Sequence, residues 1–367
     1  MNLAIHDIIL AHQNGVMISP KDALLLSQAK GEDLRNLLAY ANELCGSIHG
    51  KRVSFVVNRN INFTNACSLQ CRFCAFSVTP GHPRSYLLSF DAIRQKVREA
   101  QASNCTEVCI QGGLHPQIKL DYYIGILRTV REIAPKIHIH AFSPQEIYYM
   151  HQRSHESIET VLRILQKEGL GSIPGTAAEI LVDEVRQQLC PNKITSLQWQ
   201  LIIQTAHRLG LPTTSTMMFG SIENWSHRCA HLEVVRAIQQ ETRGFTEFVP
   251  LPFINPHNDF WKAKRTETLV ETELLKLYAI ARIYFHGIIP NIQTSWVKLG
   301  PTIAQKTLNC GVNDFGGTLM EENISKSAGA KHGESLSPEQ IKEYIRAANK
   351  IPVERNTVYE IIREFNS

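Results

Sequence analysis

The spacing of hydrophobic positions changes near residue 51. Upstream, apolar residues recur at helical intervals, with Leu24, Leu25 and Leu26 followed by Leu34, Leu37 and Leu38. Ser19 stands before Pro20 as a capping serine precedes a proline at the first helical position. Residues 1–50 therefore predict a small helical extension. Downstream, short runs rich in Val, Ile, Phe and Thr alternate with longer amphipathic stretches, as in βα units around a parallel sheet. The strand-like runs are 53–63, 107–111, 137–142, 171–173, 213–219, 245–251, 291–296 and 312–318. Between them lie helical stretches such as 90–103, 122–133, 157–168, 196–209, 226–240 and 272–285. Eight strands joined by crossover helices predict an α/β fold, a (β/α)8 barrel of the TIM type over 51–337. A doubly wound open sheet shares the alternation; the strand number favours the closed barrel. Residues 338–367 read as a C-terminal helical tail.

Of the 367 residues 43% are hydrophobic, enough for one large core. Charge is nearly balanced, with 38 Lys and Arg against 34 Asp and Glu and no basic block, so a nucleic-acid footprint is not indicated. With no run of 18 apolar residues and no basic-plus-apolar leader, the chain is expected in the cytoplasm and off the membrane. Nine cysteines, an odd number with three packed into eight positions, argue against a disulfide framework and for thiol or metal chemistry in a reducing compartment.

Those three stand in Cys67-Ser68-Leu69-Gln70-Cys71-Arg72-Phe73-Cys74, directly after the first strand. Structural zinc takes four ligands in paired short spacings, and no second Cys or His pair stands at that distance. Three thiolates on a cubane of four irons and four sulfides leave one iron without a protein ligand, the open position a catalytic cluster needs. A degenerate zinc loop, or three small buried residues, is the plain alternative. Cys45, Cys105, Cys109, Cys190, Cys229 and Cys310 are isolated and read as ordinary thiols.

The CxxxCxxC loop after the first strand of a βα barrel resembles that of the radical S-adenosylmethionine (SAM) superfamily. The resemblance implies a [4Fe-4S] cluster on Cys67, Cys71 and Cys74, whose open iron chelates the amino and carboxylate groups of SAM. One electron from the cluster then cleaves the sulfonium and yields a 5′-deoxyadenosyl radical. It also implies that Phe73 lies against the adenine and that Gly112 and Gly113, closing Cys109-Ile110-Gln111-Gly112-Gly113, meet the methionine amino group through main-chain atoms. Ser143 and Glu179 stand where the superfamily places polar contacts to SAM or substrate. Each has a plainer reading: packing for Phe73, a turn for the glycines, helix caps for Ser143 and Glu179.

Similarity extends over roughly 53–332. Asn58-Arg59-Asn60-Ile61-Asn62-Phe63-Thr64-Asn65, Cys74-Ala75-Phe76-Ser77 and Gly112-Gly113-Leu114-His115-Pro116 resemble one subgroup. It holds menaquinone-pathway radical enzymes and the enzymes that build the deazaflavin chromophore. Asn313-Asp314-Phe315-Gly316-Gly317-Thr318-Leu319-Met320-Glu321-Glu322-Asn323-Ile324, with Gly329 and His332-Gly333, is similar to the tyrosine 4-hydroxyphenyl transferases within it. This implies hydrogen abstraction from the amino group of L-tyrosine, fragmentation between Cα and Cβ, and addition of the 4-hydroxybenzyl radical to C5 of 5-amino-6-(D-ribitylamino)uracil, with 2-iminoacetate leaving. It further implies a second deazaflavin synthase subunit, which closes the ring, and an electron donor protein. The alternatives are a menaquinone-pathway cyclase, a tyrosine lyase releasing p-cresol, and a non-catalytic iron–sulfur scaffold.

Polar substrates call for inward donors and acceptors at the barrel end. The candidates are His115, His138, His140, Glu223, Asn255, Asn291, Asn313 and Glu321. His138 and His140 share one face of their strand by the two-residue period. Trp225, Trp261 and Trp296 are candidate pocket aromatics, with core packing as the alternative. Ser221 stands where the family tends to carry histidine, which loosens the assignment of substrate near the fifth strand.

Overall fold

The structure, a computed structural model, describes residues 2–254 and 269–366. Asn255 and Trp261 lie outside the described residues. The chain opens with helices Leu3–Gln13, Pro20–Leu26 and Gly31–His49. The second starts on a reciprocal cap, in which Ser19 accepts from the Asp22 N–H and the Asp22 carboxylate accepts from Ser19. Leu34, Leu37, Tyr40 and Leu44 bury one face of the third helix, which packs on the helix Glu271–Tyr284.

The strands are β1 (Arg52–Val56), β2 (Asn58–Asn62), β3 (Glu107–Gln111), β4 (His138–Ala141), β5 (Thr213–Phe219), β6 (Phe245–Pro252) and β7 (Asp314–Gly317). The run expected as one strand over 53–63 is two, because its lower part pairs with β7 and its upper part with β3. The segments 171–173 and 291–296 are too short in regular pairing to count as strands, yet they complete the ring. His140 bridges to Ser172 and Ile173 to Thr213, while Phe248 bridges to Ile292 and Gln293 to Asp314. All these pairings are parallel, and the circuit from β2 round to β7 and back to β1 closes the expected barrel.

Crossover helices cover the outside. In Ile158–Lys167, capped by Ser157, the residues Val161, Leu162 and Leu165 are all buried at helical spacing. Complete burial of each such side chain stabilises by about 1.5–3 kcal/mol. Among the described residues no helix is long and apolar enough to cross a membrane, and all nine cysteines are free thiols.

The C-terminal segment departs from the helical expectation. Pro338–Ala347 is a helix with a Ser337–Gln340 capping box, but β8 (Ile351–Arg355) and β9 (Ile361–Glu364) follow as strands. Pro352 would break a helix interior, whereas the edge of β1 below the start of β3 offers a free row of backbone groups. β8 fills that row in parallel with β1, and β9 folds back antiparallel on β8. This hairpin carries Arg355 and Thr357 to the cavity inside the ring.

Candidate active site

A cavity of about 430 Å³ lies within the barrel. Cys67, Cys71 and Cys74 line it together with Phe73, and β2 to β7 supply inward residues including Asn58, Cys109, His140, Thr216 and Glu247. The cysteine loop is tied to the segment after β3, where Ser68 N–H donates to Leu114 O at 3.1 Å, and to the chain that leaves the loop, where Cys67 N–H donates to Val78 O at 3.0 Å. Burial pushes the Cys71 thiol up to about 12, with the Lys193 ammonium pulling it back down. Loading metal there must displace that proton. Among the described residues no three His, Cys, Asp or Glu converge closely enough to hold a single ion.

Two features of the site fit a cluster with a cofactor beside it. A Cβ on Gly113 would stand 2.3 Å from Ala66 O and 3.0 Å from Cys67 Cβ, so only glycine lets the loop after β3 lie against the cysteine loop. Glu179 is buried on the cavity wall, and its Oε2 has no hydrogen-bond partner. Its other oxygen pairs with Lys193, whose ammonium also lies 5.2 Å from the Phe73 ring centroid. An orphaned buried carboxylate oxygen beside three thiols suits a polar ligand bearing hydroxyl or amine donors.

The remaining expected residues divide. Gly112 lines the cavity and its N–H donates to Glu146 Oε1 at 3.1 Å. Ser143 lines it too, but its hydroxyl is engaged in a capping box with Glu146 at 2.7 Å. His140 faces the cavity, and burial lowers its pKa to about 4, so the ring is neutral at pH 7. His138 and His140 both bond the Ser172 hydroxyl, at 2.7 and 2.6 Å. The cavity lining does not include His138.

Besides His138, five polar candidates lie away from the cavity: His115, Glu223, Asn291, Asn313 and Glu321. His115 accepts from Gln117 N–H at its Nδ1 and stays outside it. Glu223 is buried against Arg228 and takes the N–H and hydroxyl of Ser221, so Ser221 belongs to a structural knot. Asn313 accepts from Arg282 and Ile292 N–H and donates to Asn291, bracing the underside of β7. Glu321 binds Arg59 and Lys96 in a separate outer recess. Of the two candidate tryptophans that lie in the described residues, Trp296 lines the cavity, with Nε1 donating to Gly317 O, while Trp225 packs on Arg228.

Several cavity residues were missed in the sequence. Glu146, pushed up to about 7 by burial, carried a signal in the Ser143-Pro144-Gln145-Glu146 capping box. Lys193, Lys298, Glu107, Glu247 and Arg355 also line the cavity, and none stands in a motif. On the floor, Arg355 holds Asp314 at 2.5 Å and lies 3.6 Å from Glu247, while Asn58 donates to Glu107 at 2.8 Å.

Comparison with known proteins agrees with this architecture. Residues 61–235 match the radical SAM superfamily model, and residues 242–366 match the CofH/MqnC C-terminal region. Among solved structures, the [FeFe]-hydrogenase maturase HydG superposes with a TM-score of 0.77 at 14% identity, over 96% of this chain and 76% of that one. Methylornithine synthase, PylB, gives 0.73 at 15% identity, over 95% and 97%. At such identities these establish the fold. The 5-amino-6-(D-ribitylamino)uracil–L-tyrosine 4-hydroxyphenyl transferase of Archaeoglobus fulgidus is 50% identical over 88% of this chain and 92% of its own length. That of Methanocaldococcus jannaschii is 49% identical over 94% and 97%. With half the residues shared across nearly the full length, the chain belongs to the radical SAM superfamily and, within it, to the 4-hydroxyphenyl transferase family of those two relatives.

Proposed function

We propose that this enzyme joins the 4-hydroxybenzyl group of L-tyrosine to C5 of 5-amino-6-(D-ribitylamino)uracil, releasing 2-iminoacetate, as a step of deazaflavin synthesis. The observation that carries the reading is the shared cavity, in which the three loop thiols and the polar interior of the barrel face one space. The substrates come from the names of relatives that match nearly end to end.

Cys67, Cys71 and Cys74 are the cluster ligands in this reading, and Phe73, Gly112, Gly113, Ser143 and Glu179 form the wall for SAM. When bound, the cluster and SAM supply an electron and a 5′-deoxyadenosyl radical. The chain's own work is positional. Gly113 permits close backbone approach, Phe73 gives a flat apolar surface, and Glu179 offers a free oxygen to a donor. The barrel wall keeps water from the reacting atoms, and His140 stays a neutral hydrogen-bonding group. A second synthase subunit would take the adduct to ring closure, a donor protein would reduce the cluster, and the free thiols accord with a reducing cytoplasm.

Anaerobic reconstitution followed by incubation with SAM, dithionite and tyrosine, with and without the ribitylaminouracil, tests this. The reading predicts tyrosine-dependent 5′-deoxyadenosine and a uracil adduct by mass spectrometry. Free p-cresol with no adduct would instead show a lyase.

A further inference from the structure

Among the described residues three cations line the cavity: Lys193, Lys298 and Arg355. Lys193 is paired with Glu179, and Arg355 with Asp314 and Glu247. Lys298 differs. It projects from the four-residue helix Trp296–Leu299, whose Trp296 is anchored to Gly317 O. Among the described residues no side chain forms a hydrogen bond or ion pair with its ammonium; the nearby Glu322 carboxylate instead accepts from Ser325 N–H. Lys298 is half-buried on the cavity wall, with the Glu322 carboxylate near its ammonium.

The cavity is therefore polarised. On the floor, the Glu107 and Glu247 carboxyl groups line the cavity, and the guanidinium of Arg355 beside them is engaged by Asp314 beneath. A carboxylate placed there would face like charge, whereas an uncharged ring carrying N–H and hydroxyl groups would find acceptors. Near Cys74 stands the Lys298 ammonium, which among the described residues makes no direct ion pair, with the Glu322 carboxylate nearby. An α-carboxylate brought out of water needs a charged, hydrogen-bonding partner.

We infer that Lys298 binds the α-carboxylate of the amino-acid substrate and sets the preference for an amino acid over the corresponding amine. The inference rests on the tyrosine reading above. The polar pyrimidine then occupies the acidic floor, and the amino acid lies with its carboxylate toward the cysteine loop.

The test is equilibrium binding of tyrosine and of tyramine, which lacks the carboxylate, to anaerobic enzyme holding its cluster and SAM without reductant. Wild type should prefer tyrosine by about tenfold or more, the range of one charge-assisted contact in a partly buried site. Lys298→Gln should lose that preference, with tyramine and SAM affinity changed by less than about twofold and iron content intact; Lys298→Arg should restore part of it. A Lys298→Gln enzyme that keeps the tyrosine preference, or loses SAM affinity instead, overturns the assignment. Wild type that binds neither amine nor amino acid overturns the tyrosine reading itself, a result distinct from the first.

Discussion

The ammonium of Lys193 stands 5.2 Å from the centroid of the Phe73 ring while its charge is paired with Glu179. This contact joins the cysteine loop to the segments on either side of the helix Asp183–Leu189. Both charged side chains are buried, 14% and 6% exposed. Removing one leaves the other without compensation, so Lys193→Met is expected to destabilise by about 3–5 kcal/mol in chemical denaturation. Adding Glu179→Leu to it should recover most of that loss. A single-variant loss below about 1 kcal/mol would mean that water already shields the pair.

Gly113→Ala places a methyl 2.3 Å from the Ala66 carbonyl oxygen and 2.8 Å from its carbon, both backbone atoms. Main chain must shift by most of an ångström, and the cysteine loop is what shifts. The variant should fold with a loss of about 1–3 kcal/mol, while iron bound per chain after reconstitution falls by more than half. Normal iron content would show that the loop has slack.

Arg355 is the only described cation among Asp314, Glu247 and Glu107 on the barrel floor. Burial already pushes the Glu247 carboxyl up to about 7 despite this guanidinium. Arg355→Met should cost about 3–5 kcal/mol near neutral pH and lose less at pH 5, where Glu247 is protonated. Equal losses at both values would show that packing of the C-terminal hairpin, and not charge, explains the effect.

His231 is fully buried, accepts from Leu181 N–H at 3.0 Å, and has its pKa lowered by burial to about 3. A depressed folded pKa gives stability that is present above the unfolded value of about 6.5 and lost as pH falls toward the folded one. Neutral His231 therefore accounts for on the order of 3 kcal/mol of the stability lost by pH 4. His231→Asn keeps an acceptor without a titrating ring, so its stability curve should be flatter over that interval. Parallel curves for variant and wild type would contradict the buried neutral state.

The sequence and the structure agree where one residue pattern has one physical meaning. Apolar periods marked β3 to β6 closely, because a buried parallel strand needs β-branched and aromatic residues on both faces. The cysteine spacing marked the loop that lines the cavity. Polar residues near strand ends were harder. Glu223 and Asn313 serve neighbouring backbone and arginines, while His140 and Glu247 face the cavity, and period two tells the face of a strand without telling what opens beneath it. Lys193, Lys298 and Arg355 left no local trace, since they reach the site through contacts between distant segments. The short apolar runs of the final hairpin fit either period, and the open edge of β1 decides for strands.

Transfer of the benzyl group makes a new bond between tyrosine Cβ and C5 of the uracil, and isotopic labelling follows that bond directly. Tyrosine labelled with carbon-13 in its ring, and separately at Cα, would be turned over with SAM, reductant and the ribitylaminouracil. Ring label is expected in the uracil adduct, and Cα label only in glyoxylate formed as 2-iminoacetate hydrolyses. Cα label in the adduct, or ring label recovered solely as p-cresol, would contradict that transfer.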